Sequence, residues 1–97
     1  MTTLELKKRL LATTYFLENV YFSEYLALVS TSVRSEVFKT QSHHILPKTY
    51  FKHFKLPVDD TSDNLVELLY CKHIYAHWLL TKCTKGFLLK NCKYALR

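Results

Sequence analysis

The chain has 97 residues, 48% of them hydrophobic, and 14 Lys and Arg against 8 Asp and Glu give it a formal charge of +6. That length supports one small domain whose core needs help from a metal, a disulfide or a partner, and no apolar run approaches the ~20 residues that span a bilayer. Seven Tyr and six Phe mark a globular rather than a disordered chain, and three cysteines without a Cys-x-x-Cys pair argue against a disulfide framework or a zinc ribbon.

Residues 1–32 read as an N-terminal helical hairpin. Nothing there resembles a secretion signal, so a cytoplasmic protein is expected. Thr2 or Thr3 is placed to cap a first helix with Glu5 in its first turn. Leu4, Leu11 and Tyr15, flanked by Leu10 and Leu17, follow helical spacing to about Glu18, with Asn19 as the stop. Ser23 before Glu24 reads as the cap of a second helix bearing Tyr25, Leu26, Leu28 and Val29, and Ser30-Thr31-Ser32 as a turn. Charges in this half cancel, Lys7, Lys8 and Arg9 against Glu5, Glu18 and Glu24. Such a face suits packing against the rest of the chain or a homodimer contact.

Residues 33–97 hold all the excess charge, eleven Lys and Arg against five Asp and Glu. A polyanionic partner suits that half, a solvated basic surface being the alternative. Glu36–Ser42 alternates like a strand leading into His43 and His44, and Pro47 ends it. Lys48–Phe54 makes one or two helical turns with Tyr50, Phe51 and Phe54 packing inward. Leu56–Asp63 is loop by composition, Asn64–Leu69 a second strand, and Lys72–Lys82 a helix, with Gly86 where it ends or turns. Phe87–Leu96 is helical by pattern.

All five histidines fall between Ser42 and Leu80. His73 and His77, four apart on a helix, share one face and can hold one ion, with His43 from the strand as third ligand and an open position left over. Imidazoles favour zinc, nickel, cobalt or manganese, and a bound phosphate oxygen would let magnesium serve. His44 points to the other strand face, free to take a proton from water near neutral pH. Asn64 is placed to hydrogen-bond the backbone around His44. His53 has no place in this arrangement. Cys71 is expected to be buried packing, and Trp78, Ile74 and Leu68 core behind the ion, although an exposed Trp or Tyr would stack on a base.

The order His-His, Asn, His-x-x-x-His resembles the HNH nuclease family, also called His-Me finger or ββα-metal nucleases. HHILPKTYF and DNLVELLYCKHIYAHWLL are similar to small HNH endonucleases of bacteria and their phages, over about forty residues. The resemblance implies that His44 activates water for in-line attack on phosphorus and Asn64 positions it. His43, His73 and His77 would hold one divalent ion that stabilises charge on the phosphoryl and departing 3′ oxygens. Such enzymes usually leave a 5′ phosphate and a 3′ hydroxyl. The glycines often found between the His pair and the asparagine are missing here, as are the paired cysteines of many relatives. No arginine lies near the motif in sequence, so cationic help would come from Lys48, Lys52 or Lys72, with Lys82 and Lys85 tracking a phosphate backbone.

The expected protein is thus an α+β domain, an N-terminal helical hairpin (1–32) ahead of a ββα-metal core and C-terminal helical segment (33–97). Its expected activity is that of a metal-dependent endonuclease on single- or double-stranded DNA in a bacterial or phage-infected cell. The rival reading is a catalytically silent, metal-stapled binding protein that grips nucleic acid or inhibits a host complex.

Overall fold

The computed structural model describes residues 2–31 and 39–95. Among them the order is α1 (Thr3–Ala12), α2 (Val20–Val29), β1 (Thr40–His44), α3 (Lys48–His53), β2 (Leu65–Leu69), α4 (Tyr70–Cys83) and α5 (Gly86–Ala95). Helices with a two-stranded antiparallel sheet make this an α+β fold.

Short polar side chains set the hairpin's boundaries. Thr2 caps α1 in a reciprocal pair with Glu5, each side chain meeting the other's backbone N–H. The helix stops at Ala12, earlier than the apolar spacing predicts. Thr13 turns its hydroxyl onto the Leu10 carbonyl, and Thr14 enters the left-handed region at φ 66°, which a β-branched residue does only under constraint. The constraint comes next. Leu17 N–H donates to the Cys83 carbonyl at 2.7 Å and Lys85 N–H to the Tyr15 carbonyl at 3.0 Å, tying this stretch to the end of α4. Asn19, expected to end α1, instead begins α2: Oδ1 accepts from Phe22 N–H and Nδ2 donates to the Lys82 carbonyl. Ser23 therefore sits inside α2 and does not cap it. Ser30 follows α2 as its C-terminal cap, and Ser32 lies outside the described residues.

Leu6 and Leu10, one turn apart, form the buried face of α1, whereas Leu4 and Leu17 are exposed. They join Phe22, Tyr25, Leu26 and Val29 of α2 and Leu79, Leu80 and Leu88 of α4 and α5 in one core, so hairpin and remainder are not separately packed. Cys83 and Cys92 are buried, and burial pushes their thiols up to about 12 and about 11. Three side chains depart from expectation. Cys71 is exposed, as are Ile74 and Trp78, while Leu68 alone of that set is buried. The inward face of α4 is already filled by Ala76, Leu79, Leu80 and Cys83, which turns Ile74 and Trp78 outward.

The expected strand Glu36–Ser42 falls partly outside the described residues, and β1 takes both His43 and His44 into the strand itself. Pro47 stands at the start of α3, where its fixed φ suits a helix entry. Phe51 packs inward from α3, but Phe54 is exposed. Gly86 lies in the α4–α5 turn at φ +65°, with the Tyr15 ring 3.3 Å from where a Cβ would be. Only glycine meets both demands cheaply. Leu96 lies outside the described residues. Among those residues, no helix is long and apolar enough to cross a membrane.

Candidate metal centre

β1 and β2 pair with His43 opposite Val66 and Gln41 opposite Leu68. Strand alternation therefore puts Gln41 and His43 on the face that meets α4, and Thr40, Ser42 and His44 on the other. On that second face Thr40 and Ser42 both donate to the Glu67 carboxylate. From α4, His73 and His77 rise one turn apart against His43. The His43 ring centroid is 5.2 Å from that of His73 and 5.1 Å from that of His77. One nitrogen from each ring lies within 4.8 Å of the others, so the three are close enough to bind one metal ion.

Partners outside the cluster settle where the protons sit. The Tyr25 hydroxyl, reaching in from α2, donates to the Ile45 carbonyl at 2.7 Å and lies 2.8 Å from His43 Nε2. Its one proton is used on the carbonyl, so the phenol oxygen accepts from His43 Nε2–H. His43 Nδ1 is then a bare lone pair, and it is buried with no hydrogen-bond partner. His73 repeats the device with its nitrogens exchanged: Nδ1–H donates to the Gln41 amide oxygen at 2.7 Å, leaving Nε2 as the lone pair, 3.0 Å from His77 Nε2. An ion held tetrahedrally with metal–nitrogen bonds of ~2.0–2.1 Å spaces its ligand atoms about 3.3 Å apart. Burial, helped by His77, His73 and His44, pushes His43 down to about 2. His73 and His77 are also lowered, chiefly by burial. Neutral imidazoles, an orphaned lone pair and oriented outer N–H groups are the donor set a divalent cation requires. The residues fit such an ion.

His44 stands on the opposite strand face with Nε2 2.6 Å from Asp60 Oδ1. A carboxylate oxygen accepts, so His44 donates Nε2–H and keeps Nδ1 as its basic nitrogen. Asn64 is fully buried and clamps the chain on both sides of this pair. Its Oδ1 accepts from Leu46 N–H at 2.8 Å, Nδ2 donates to the Leu46 and Asp59 carbonyls, and its own carbonyl accepts from Ile45 N–H. Asp59 is further held by Thr61 and by Arg9 of α1, which together keep its carboxyl down at about 2. The arginine absent from the motif in sequence thus arrives through the fold, bracing the loop that carries Asp60.

His43, His44, His73 and His77 line one cavity of about 290 Å³, with Lys48 and Thr49 at one side and Asn91 and Cys92 of α5 at another. Of the five lysines expected to meet nucleic acid, Lys48 lines the cavity. Lys52, Lys72, Lys82 and Lys85 are exposed and do not line it. His53 lies outside the cluster, stacked on Phe87 at 3.7 Å. Sequence reasoning missed Tyr25, Gln41, Asp60 and Arg9. Only Gln41 left a signal there, two residues before His43 on an alternating strand. Comparison with protein-family models, curated proteins and solved structures gives no match.

Proposed function

We propose that this chain is a metal-dependent endonuclease of the HNH, or ββα-metal, type that hydrolyses DNA phosphodiester bonds. The observation that carries the reading is the division of labour along β1. His43 faces inward with an unpartnered Nδ1 among two further imidazoles, and the next residue, His44, opens onto the same cavity with a basic nitrogen free. A metal staple alone has no use for the second feature.

A divalent cation held by His43, His73 and His77 would supply the positive charge that stabilises the phosphoryl and departing 3′ oxygens. Zinc, nickel or manganese suits the imidazole set, and magnesium serves where phosphate oxygens complete its shell. His44 Nδ1 takes the proton of a water as its oxygen forms the new bond to phosphorus. The P–O3′ bond breaks, and the leaving oxygen is protonated from solvent, giving 5′-phosphate and 3′-hydroxyl ends. Asp60 holds the His44 ring by Nε2–H, and Asn64 fixes the backbone that presents it. Lys48 supplies cationic contact to the strand at the cavity mouth.

Conversion of supercoiled plasmid to nicked and linear forms tests this, with manganese, magnesium, nickel, zinc or EDTA, comparing the natural chain with His44→Ala at equal metal content. Nicking that needs metal and vanishes in His44→Ala supports the reading. Two folded, metal-loaded proteins that both leave the plasmid intact with every ion refute it.

A further inference from the structure

We infer that the outer face of α4 is a stacking platform for the unpaired bases of single-stranded DNA, an inference that rests on the nuclease reading for its choice of partner. Tyr70, Ile74 and Trp78 stand four residues apart, 64%, 47% and 39% exposed. At 3.6 residues per turn this stripe lies about 100° around the helix from His73 and His77, Ile74 following the first and Trp78 the second. A strand with its phosphate in the cavity lays its neighbouring bases along these side chains.

The platform is built, not incidental. Tyr21 of α2 meets the Trp78 ring edge-on at 5.8 Å, and Tyr75 lies nearly parallel to it at 5.9 Å. Tyr75 is itself fixed by a hydrogen bond from its hydroxyl to Glu24. The indole is thus held in place before any ligand arrives, which reduces the entropy lost on stacking. The Lys82 ammonium lies over the Trp78 ring, 5.5 Å from its centroid, so a base that stacks on that face displaces it toward the strand's own phosphate. An exposed aromatic and aliphatic patch of this kind marks an interaction surface.

Charge decides the occupant. All of the chain's +6 belongs to residues 33–97, and the patch is flanked by Lys72 and Lys82 against the one Glu24 carboxylate that holds Tyr75. A second copy laid on it would bring like charges together, whereas a polyanion complements them. Within a duplex the base faces are covered by their neighbours. A single strand offers them, and stacking on side chains is how sequence-tolerant binding to such strands is achieved.

Trp78 is the sole tryptophan, so its fluorescence reads the platform directly. The natural chain is titrated in EDTA with a labelled twelve-residue oligothymidylate and with a duplex of equal length, following fluorescence quenching and oligonucleotide anisotropy. Trp78→Leu and Trp78→Phe are compared by anisotropy, and circular dichroism and sedimentation establish fold and oligomeric state. The expected result is quenching by the single strand, tighter binding of strand than duplex, a roughly 10- to 100-fold loss in Trp78→Leu, and recovery in Trp78→Phe. Equal affinity of natural chain and Trp78→Leu overturns the platform. So does a dimer that Trp78→Leu dissociates without changing affinity for DNA, which would assign the patch to a second copy. Nothing is cleaved in EDTA, so the two readings fail separately. Strand stacking without plasmid nicking keeps the platform and removes the nuclease, whereas nicking at an unchanged rate and affinity in Trp78→Leu does the reverse.

Discussion

Tyr25→Phe tests the cluster from a residue that touches neither substrate nor ion. The substitution keeps the ring and removes one oxygen, which serves two buried groups, His43 Nε2–H and the Ile45 carbonyl. Those residues are 1% and 5% exposed, so water replaces neither bond. Each of the two unsatisfied buried groups costs ~1–3 kcal/mol, which puts the loss for the metal-free protein at about 2–6 kcal/mol. A domain of this size has of order 5–15 kcal/mol in all, so circular dichroism first establishes that the variant folds. The second consequence is sharper. Without the phenol oxygen, His43 is free to carry its proton on Nδ1, the buried nitrogen otherwise left as a lone pair, and removal of such an outer partner typically weakens metal affinity ~10–100-fold. Zinc affinity is read by competition with a chromophoric chelator, and stability by urea unfolding in EDTA and in excess zinc. Because an ion that binds only the folded chain adds RT ln(1 + [L]/Kd), the gap between the two unfolding curves must shrink in step with the measured affinity. Affinity within twofold of the natural chain, together with an unchanged urea midpoint, would refute the proton assignment and the role given to α2.

Two further outcomes follow from the same geometry. His43 is held near 2 when folded against ~6.5 when unfolded, so below pH 6.5 the unfolded chain binds the extra proton and stability falls as pH drops through that window. For His43 alone, the metal-free protein should lose about 2 kcal/mol between pH 7.5 and pH 5, with His73 and His77 adding in the same direction; urea unfolding across a pH series checks it, and a flat profile contradicts it. Asn64→Ala removes three side-chain hydrogen bonds at a fully buried site and should destabilise by about 3 kcal/mol or more, measured by thermal unfolding. If Asn64 also presents His44, nuclease activity should fall further than metal content does.

The histidine set was legible because ligand spacing is local: four residues on a helix is a turn whatever surrounds it. The second strand was legible almost to its bounds, Leu65–Leu69 against an expected Asn64–Leu69, whereas the first runs Thr40–His44 where Glu36–Ser42 was expected, part of that range lying outside the described residues. Helix boundaries in the hairpin were not legible, since Asn19 has the same chemistry as a stop or a start and only its distant bond to the Lys82 carbonyl decides which. Trp78 misled for a related reason. Large apolar side chains are assigned to the core by default, yet α4 fills its inward face with Ala76, Leu79, Leu80 and Cys83 and has no room there for an indole. Tyr25 lies eighteen residues before His43, and nothing short of the packed α2–α4 pair brings them together.

Register is what converts these pieces into a site. Antiparallel pairing places His43 opposite Val66 and His44 opposite Leu65, and a slip of one residue would turn His44 toward α4 and His43 toward Asp60. Ligand and base would then exchange places, with Tyr25 and Gln41 left facing the wrong side chains. Pairing in a short two-stranded sheet is by itself marginal, so the register has to be held from outside it. Asn64 does this at one end by binding the Leu46 backbone on both its N–H and its carbonyl, and Tyr25 and Gln41 do it along the inner face through the histidines themselves. The groups that prepare the imidazoles for a cation are thus the same groups that keep His44 out of their set.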